Sequence, residues 1–130
     1  AMNAAAAEGR LENRGNAEQF DGGYRAIIEG FNHTLDAVVR PLKMSAEYMK
    51  QISRGNIPNE IAVDYPGDFN EIKESINTCI RAVNMVIEDI NMLSAAAVEG
   101  KLQARADSDR HGGEFRNIVE GINLTLDSVE

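Results

Sequence analysis

Between Asp68 and Glu99 apolar residues return at every third or fourth position: Phe69, Ile72, Ile76, Cys79, Val83, Val86, Ile90, Leu93 and Ala97. Steps that alternate three and four are the a/d seam of a heptad repeat, and they predict a single helix over 68–99. No Pro or Gly interrupts that run. At 1.5 Å per residue such a helix is roughly 48 Å long. A seam of that length on so short a chain calls for a partner helix. A second periodic run, Ile27, Ile28, Phe31, Leu35, Val38, Leu42, Tyr48 and Ile52, predicts another helix between Gly22 and Arg54. Pro41 lies inside it and frees the carbonyl of Ala37, so a kink or tight junction is expected there rather than a linker.

The pattern also repeats. Gly9-Arg10-Leu11, Gly55-Asn56-Ile57 and Gly100-Lys101-Leu102 each follow a helical stretch, and the glycines stand 46 and 45 positions apart. An aromatic follows each glycine by 14 or 15 residues: Tyr24, Phe69 or Phe115. Then come Ile27, Ile72 and Ile118, followed by Phe31-Asn32, Ile76-Asn77 and Ile122-Asn123. A period of that length corresponds to one helix–loop–helix unit. Each glycine ends a helix at C′, where it takes positive φ without a Cβ clash. The polar stretches 9–21, 55–66 and 100–112 are connectors, with helices restarting near Gly22, Gly67 and Gly113 and with Asp21, Asp64 and Asp109 as candidate caps.

Connector length bears on topology. Antiparallel neighbours need only about 2–8 residues between them. A dozen extended residues reach roughly 36–43 Å, and a 16-residue helix is about 24 Å long. Each connector can therefore run back along the bundle and start the next helix parallel to the last. The apolar residues Leu11, Ile57, Ile61 and Leu102 would plug the groove on the way. The fold class expected is all-α: a parallel, dimeric four-helix coiled-coil bundle of tandem helix–connector–helix units. A structural spacer, or a monomeric antiparallel bundle folded back like a spectrin repeat and binding a partner, is the alternative.

Composition narrows the function. The 130 residues carry 13 basic and 21 acidic side chains, a net charge of −8, no Trp and 5% aromatics. Aliphatic seams fit that profile, and the acidic balance argues against nucleic acid, which needs clustered Lys and Arg. No apolar run approaches the roughly 18–20 residues of a membrane span, and no signal peptide is legible. The single cysteine forms no internal disulfide and suits a reducing compartment. Ala1-Met2 reads as an expression scar on a piece excised from a longer chain.

These residues resemble a HAMP domain, the relay module of membrane chemoreceptors and sensor histidine kinases. The second copy carries the whole pattern: Pro41 opening the first helix, Gly55 and Ile57 entering the connector, Ile61 as second plug, Asp68 opening the second helix, then Phe69, Ile72 and Asn77. The third has Gly100, Leu102, Arg105 and Glu114, with Val86 in place of the proline and Ala106 as a weak plug. The first is the poorest: its first helix is cut to Ala4–Glu8, Gly15 replaces the second plug and Gly23 the acid. Uninterrupted copies are similar to the poly-HAMP arrays of methyl-accepting chemotaxis proteins and hybrid kinases. The resemblance implies three units, 1–40, 41–85 and 86–130. It also implies a parallel homodimer that passes a conformational change between sensor and output domains of one parent chain. Such a module lies on the cytoplasmic side of a membrane-associated prokaryotic receptor.

Other motifs weigh less. Gly112-Gly113-Glu114-Phe115 looks like the diguanylate cyclase signature, but it lacks one acid, and the repeat places Pro66-Gly67-Asp68-Phe69 at the same position. Asn32-His33-Thr34 and Asn123-Leu124-Thr125 match the glycosylation pattern, yet both fall at one helical repeat position, shared with Asn77. Cys79 sits on the seam as a small buried hydrophobe. His33 and His111 stand alone on different elements. Glu71, Lys73, Glu74, Arg81 and Glu88 read as a solvated face with i,i+4 pairing. No enzyme, no cofactor and no metal is expected. The residues expected to carry the relay are Gly9, Leu11, Pro41, Gly55, Ile57, Ile61, Asp68, Phe69, Ile72, Ile76, Leu93, Ala97, Gly100, Leu102, Glu114, Phe115 and Ile118, each by packing or by ending a helix.

Overall fold

A computed structural model describes residues 8–10, 14–16 and 22–129. Among these residues the structure is all-α: α1 (Gly22–Ser53), α2 (Asp68–Val98) and α3 (Gly113–Val129), with a 3₁₀ turn at Ser108–Arg110 and no strand. The truncated first helix expected before Gly9, the plug Leu11 and the cap Asp21 lie outside the described residues. Gly9 itself takes φ +85°.

α1 runs unbroken through Pro41, which is buried within it. Ser45 Oγ donates to the Pro41 carbonyl at 2.8 Å. α1 and α2 end alike. The Gly55 N–H reaches the Ile52 carbonyl and the Asn56 N–H the Gln51 carbonyl, both at 3.0 Å. The Gly100 N–H reaches Ala97 at 3.0 Å and the Lys101 N–H Ala96 at 2.8 Å. Both are Schellman closures, which need positive φ at C′; Gly55 has +82° and Gly100 +80°. Helix starts depart from expectation. Gly67 caps α2 without any side-chain bond, leaving Asp68 and Glu71 to favour its first turn by charge. Asp64 is not a cap; it pairs with Lys73 at 2.6 Å. Asp109 lies in the 3₁₀ turn and meets Arg116 at 2.9 Å.

Contacts between connector and helix fix the direction of the chain. Along the first connector Glu60, Ile61, Asp64 and Tyr65 bond in turn to Arg81, Asn77, Lys73 and Asn70 of α2. Connector numbers rise while helix numbers fall, so the connector runs back along α2, and α1 and α2 are parallel. Along the second, Arg105, Ala106 and Asp109 meet Asp127, Asn123 and Arg116 of α3, so α2 and α3 are parallel too. The folded-back antiparallel alternative is not what the chain adopts. The core lies in two patches. Ile61, Ile76 and Ile80 pack with Met44, Tyr48, Ile52, Ile57, Tyr65 and Ile72. Leu93, Ala106, Val119 and Leu126 pack with Leu102, Ala104 and Ile122.

Candidate relay site

Each connector is held by one asparagine of the helix that follows it. In α2, the Asn77 carbonyl oxygen accepts from the Ile61 N–H at 2.7 Å and its amide donates to the Ile61 carbonyl at 3.1 Å. In α3, Asn123 does the same for Ala106, at 3.0 and 2.8 Å. In α1, Asn32 does it for Gly15, at 2.9 and 2.8 Å. A primary amide offers one acceptor and two donors, which is what a single residue's unpaired backbone N–H and C=O require. The residue before each clamped position adds an ion pair to the helix residue one turn past the asparagine. Those pairs are Arg14–Asp36 at 2.7 Å, Glu60–Arg81, and Arg105–Asp127 at 2.7 Å. The charges are reversed in the middle copy while the geometry is kept. The Arg14 guanidinium, bonded to Asp36, holds that carboxyl below the usual range.

This clamp accounts for the glycosylation-like triplets. The asparagine amide is engaged with the connector. The threonine two residues on, or one in α2, returns its hydroxyl to the carbonyl four before it: Thr34 to Gly30 at 3.0 Å, Thr78 to Glu74 at 2.9 Å and Thr125 to Gly121 at 3.0 Å.

The apolar plugs enter the core beside the clamps. Ile61 and Ala106 are buried, and Ile57 and Leu102 pack against the same patches. Ile76 and Leu93 are buried, Phe69 and Ile72 are half-buried, and Ala97, Phe115 and Ile118 are exposed on the isolated chain. The intrachain contacts of α2 therefore take only part of its seam. Ile72, Ile76 and Cys79 line an open trough of about 600 Å³ beside Ser45 and Met49. Ile90, Leu93 and Ala97 line a smaller one of about 200 Å³ against α3. Cys79 is thus half-buried at a groove wall rather than enclosed. Asp68 and Glu114 lie in the first turns of α2 and α3.

Two expectations about charged residues are corrected. Lys73 is not on a solvated face: its side chain is 10% exposed, covered by the connector, with Nζ on Asp64. The hydrogen bond from Lys73 holds the Asp64 carboxyl below the usual range, and the bond to Asp64 raises Lys73 against the opposing effect of burial. His111 is not alone, since its Nε2 lies 2.5 Å from Asp89 Oδ2. Among the described residues no group of three or more His, Cys, Asp and Glu is placed to hold a metal, and no helix is long and apolar enough to cross a membrane.

The HAMP domain family model matches residues 19–85, just over half of the chain. The chain belongs to the HAMP domain family. No solved structure matches it. The HAMP match takes in α1, the first connector and the half of α2 that carries Asn77. That is the region where plugs, clamp and Schellman glycine occur together. What sequence reasoning missed in this HAMP framework is the clamping role of Asn32, Asn77 and Asn123. Their fixed place in the repeat was visible, but their reach to connector backbone 16 or 17 positions away is a tertiary fact.

Proposed function

We propose that the chain is a non-enzymatic signal relay: three concatenated HAMP units, 1–40, 41–85 and 86–130, working as a parallel homodimer. Two helices from each chain would form a four-helix bundle in every unit. The observation that carries this reading is α2, a single helix from Asp68 to Val98 with no joint at its middle. Its first half holds one connector through Asn77, and its second half packs under the next connector through Leu93. A change of packing imposed at Phe69 and Ile72 is therefore delivered to Leu93 and Ala97 by the same rigid rod. Relay of this kind needs two packings within a few kcal/mol of each other, so that an input shifts their populations.

The exposed seam supports the dimer. Ile118, Phe115, Ile27 and Tyr24 are 39–74% exposed on one chain, and a second copy would cover them. Recurrence of the clamp in the third copy, outside the family match, supports the array. The relay would join a sensor domain and an output domain, in a chemoreceptor or a sensor kinase, on the cytoplasmic side of a membrane. The rival, a spacer or a monomeric antiparallel bundle, loses ground to the parallel course of the helices.

A solution measurement tests the reading. The molar mass should be twice 14.2 kDa. With Cys79 replaced by Ala, a cysteine placed at Val83 should crosslink to its own copy under mild oxidation, because seam residues of a parallel pair face each other across the two-fold axis. A monomeric mass together with no crosslink at any seam position tested would overturn it.

A further inference from the structure

The two fully described connectors finish differently. Two residues before the positive-φ glycine at the next helix start, Gly67 or Gly113, the first has Tyr65 and the second has His111. Tyr65 and Met44 both pack against the apolar cluster of Ile61, Ile76 and Ile80. Asp89 stands 45 positions after Met44, one repeat on. Where one unit makes an apolar contact, the next makes a buried polar one. The side chains of His111 and Asp89 are 1% and 7% exposed, with Nε2 at 2.5 Å from Oδ2. Arg110 Nη1 holds the other carboxylate oxygen at 2.9 Å, and its Nη2 lies 3.5 Å from Glu88. His33, by contrast, is exposed on α1.

We propose that His111 and Asp89 form a proton-sensitive latch fastening the third unit's connector to α2, tighter when the ring is protonated than when it is neutral. Histidine is the side chain type whose charge ordinarily changes between about pH 5 and 8. A protonated ring sets a positive charge against the buried carboxylate, whereas a neutral ring offers one ordinary hydrogen bond. Charge-assisted bonds are roughly twice as strong as neutral ones. The charged groups around the ring are Asp89 and Glu88 of α2, Arg110 and Asp109 of the connector, and Arg116 of α3, which is engaged with Asp109 and Glu120. Arg110 and the ring share Asp89, each on its own carboxylate oxygen, and Arg116 is engaged with Asp109 and Glu120, so Oδ2 remains the acceptor for the ring.

The first connector has no counterpart. Its tie is Asp64–Lys73, with the carboxyl held low and the ammonium held high, so both stay charged across the neutral range. Protons in that window would act on one connector and spare the other. The latch does not depend on the relay reading: it is a property of one connector, whatever the assembled protein transmits.

Amide hydrogen exchange on the full chain at about pH 5.5 and 8.0, corrected for intrinsic rates, tests it. Protection over 101–112 should fall about fivefold from the lower to the higher pH, the difference between a charge-assisted and a neutral bond. Protection over 56–66 should change less than about twofold. His111→Gln keeps a neutral hydrogen-bonding group and should abolish the pH dependence. If that variant does not fold, Asp89→Met with His111→Tyr places the neighbouring unit's residues at both positions and should be equally flat. Protection over 101–112 that is constant or rises with pH would overturn the latch. So would parallel changes in both connectors, or a flat-variant slope equal to that of the wild type.

Discussion

Asn77→Ala is the sharpest probe of how the connector is held. Asn77 is 4% exposed and Ile61 6%, so truncation leaves the Ile61 N–H and C=O in an interior that the 2.7 and 3.1 Å bonds had satisfied. Each buried polar group left unpaired costs about 1–3 kcal/mol, which bounds the loss at about 2–6. A water entering the space vacated by the amide recovers part of that and sets the expectation at about 2–4 kcal/mol. Against a total stability of about 5–15 kcal/mol this is a large fraction. Thr78→Ala is the matched control, since Thr78 is exposed and its hydroxyl only returns to the Glu74 carbonyl; a change within about 0.5 kcal/mol is expected there. Asn77→Asp adds a check on sign. A carboxylate accepts from the Ile61 N–H but sets its second oxygen against the Ile61 carbonyl, and protonation restores the missing donor. Burial and that repulsion raise the introduced group's folded pKa, so its stability is present at low pH and lost as pH rises. The assay is urea unfolding followed by circular dichroism at one fixed protein concentration, because the stability of an associating chain depends on concentration. Asn77→Ala within about 0.5 kcal/mol of Thr78→Ala would refute the clamp.

Two further outcomes follow from α2. Inserting three residues between Val83 and Val86 turns the two halves of the seam by about 300°, while inserting seven turns them by about 700°, some 20° short of two full turns. In a parent receptor the first should lock or abolish output and the second retain much of it; equal output from both would make α2 a passive tether. The Asp64–Lys73 pair predicts an acid limb. Asp64 is depressed from 3.8, so its contribution is full above that value and disappears as pH falls through the lower folded one. Lys73 is raised from 10.5, so its contribution holds below that value and is lost as pH climbs through the folded one. Urea midpoints measured against pH should show both limbs in the wild type, and Lys73→Met should flatten them.

The helices were legible because steps of three and four, closed by glycines at a fixed period, leave little else for residues 68–99 to form. The plugs were legible for the same reason, since Ile57 and Leu102 hold one place after each closing glycine. What one-dimensional reading lost was polar residues turned inward. Lys73 lies off the heptad seam, and charge off a seam reads as solvent-facing until a connector is laid across it. Asp89 and His111 are 22 positions apart, on elements whose contact depends on the connector's path. Pro41 argued for a kink or tight junction rather than a linker, and the residue lies buried within one continuous helix. The seam itself was visible in full, but one chain buries only part of it.

The two repeat lengths have an evolutionary reading. Thirty-three positions separate Gly22 from Gly55 and Gly67 from Gly100, so the spans from helix start to closing glycine are equal. Six positions separate the first glycine of each connector from its clamped residue: Gly9 from Gly15, Gly55 from Ile61 and Gly100 from Ala106. Ten separate Gly22, Gly67 and Gly113 from their asparagines. The one variable stretch lies between clamp and helix start, six residues from Ile61 to Gly67 and seven from Ala106 to Gly113, where the 3₁₀ turn takes up the slack. A residue gained or lost there leaves the rotational phase of every helix untouched. Gene duplication can therefore lengthen such a chain, and drift can trim its loops, without the message slipping out of register.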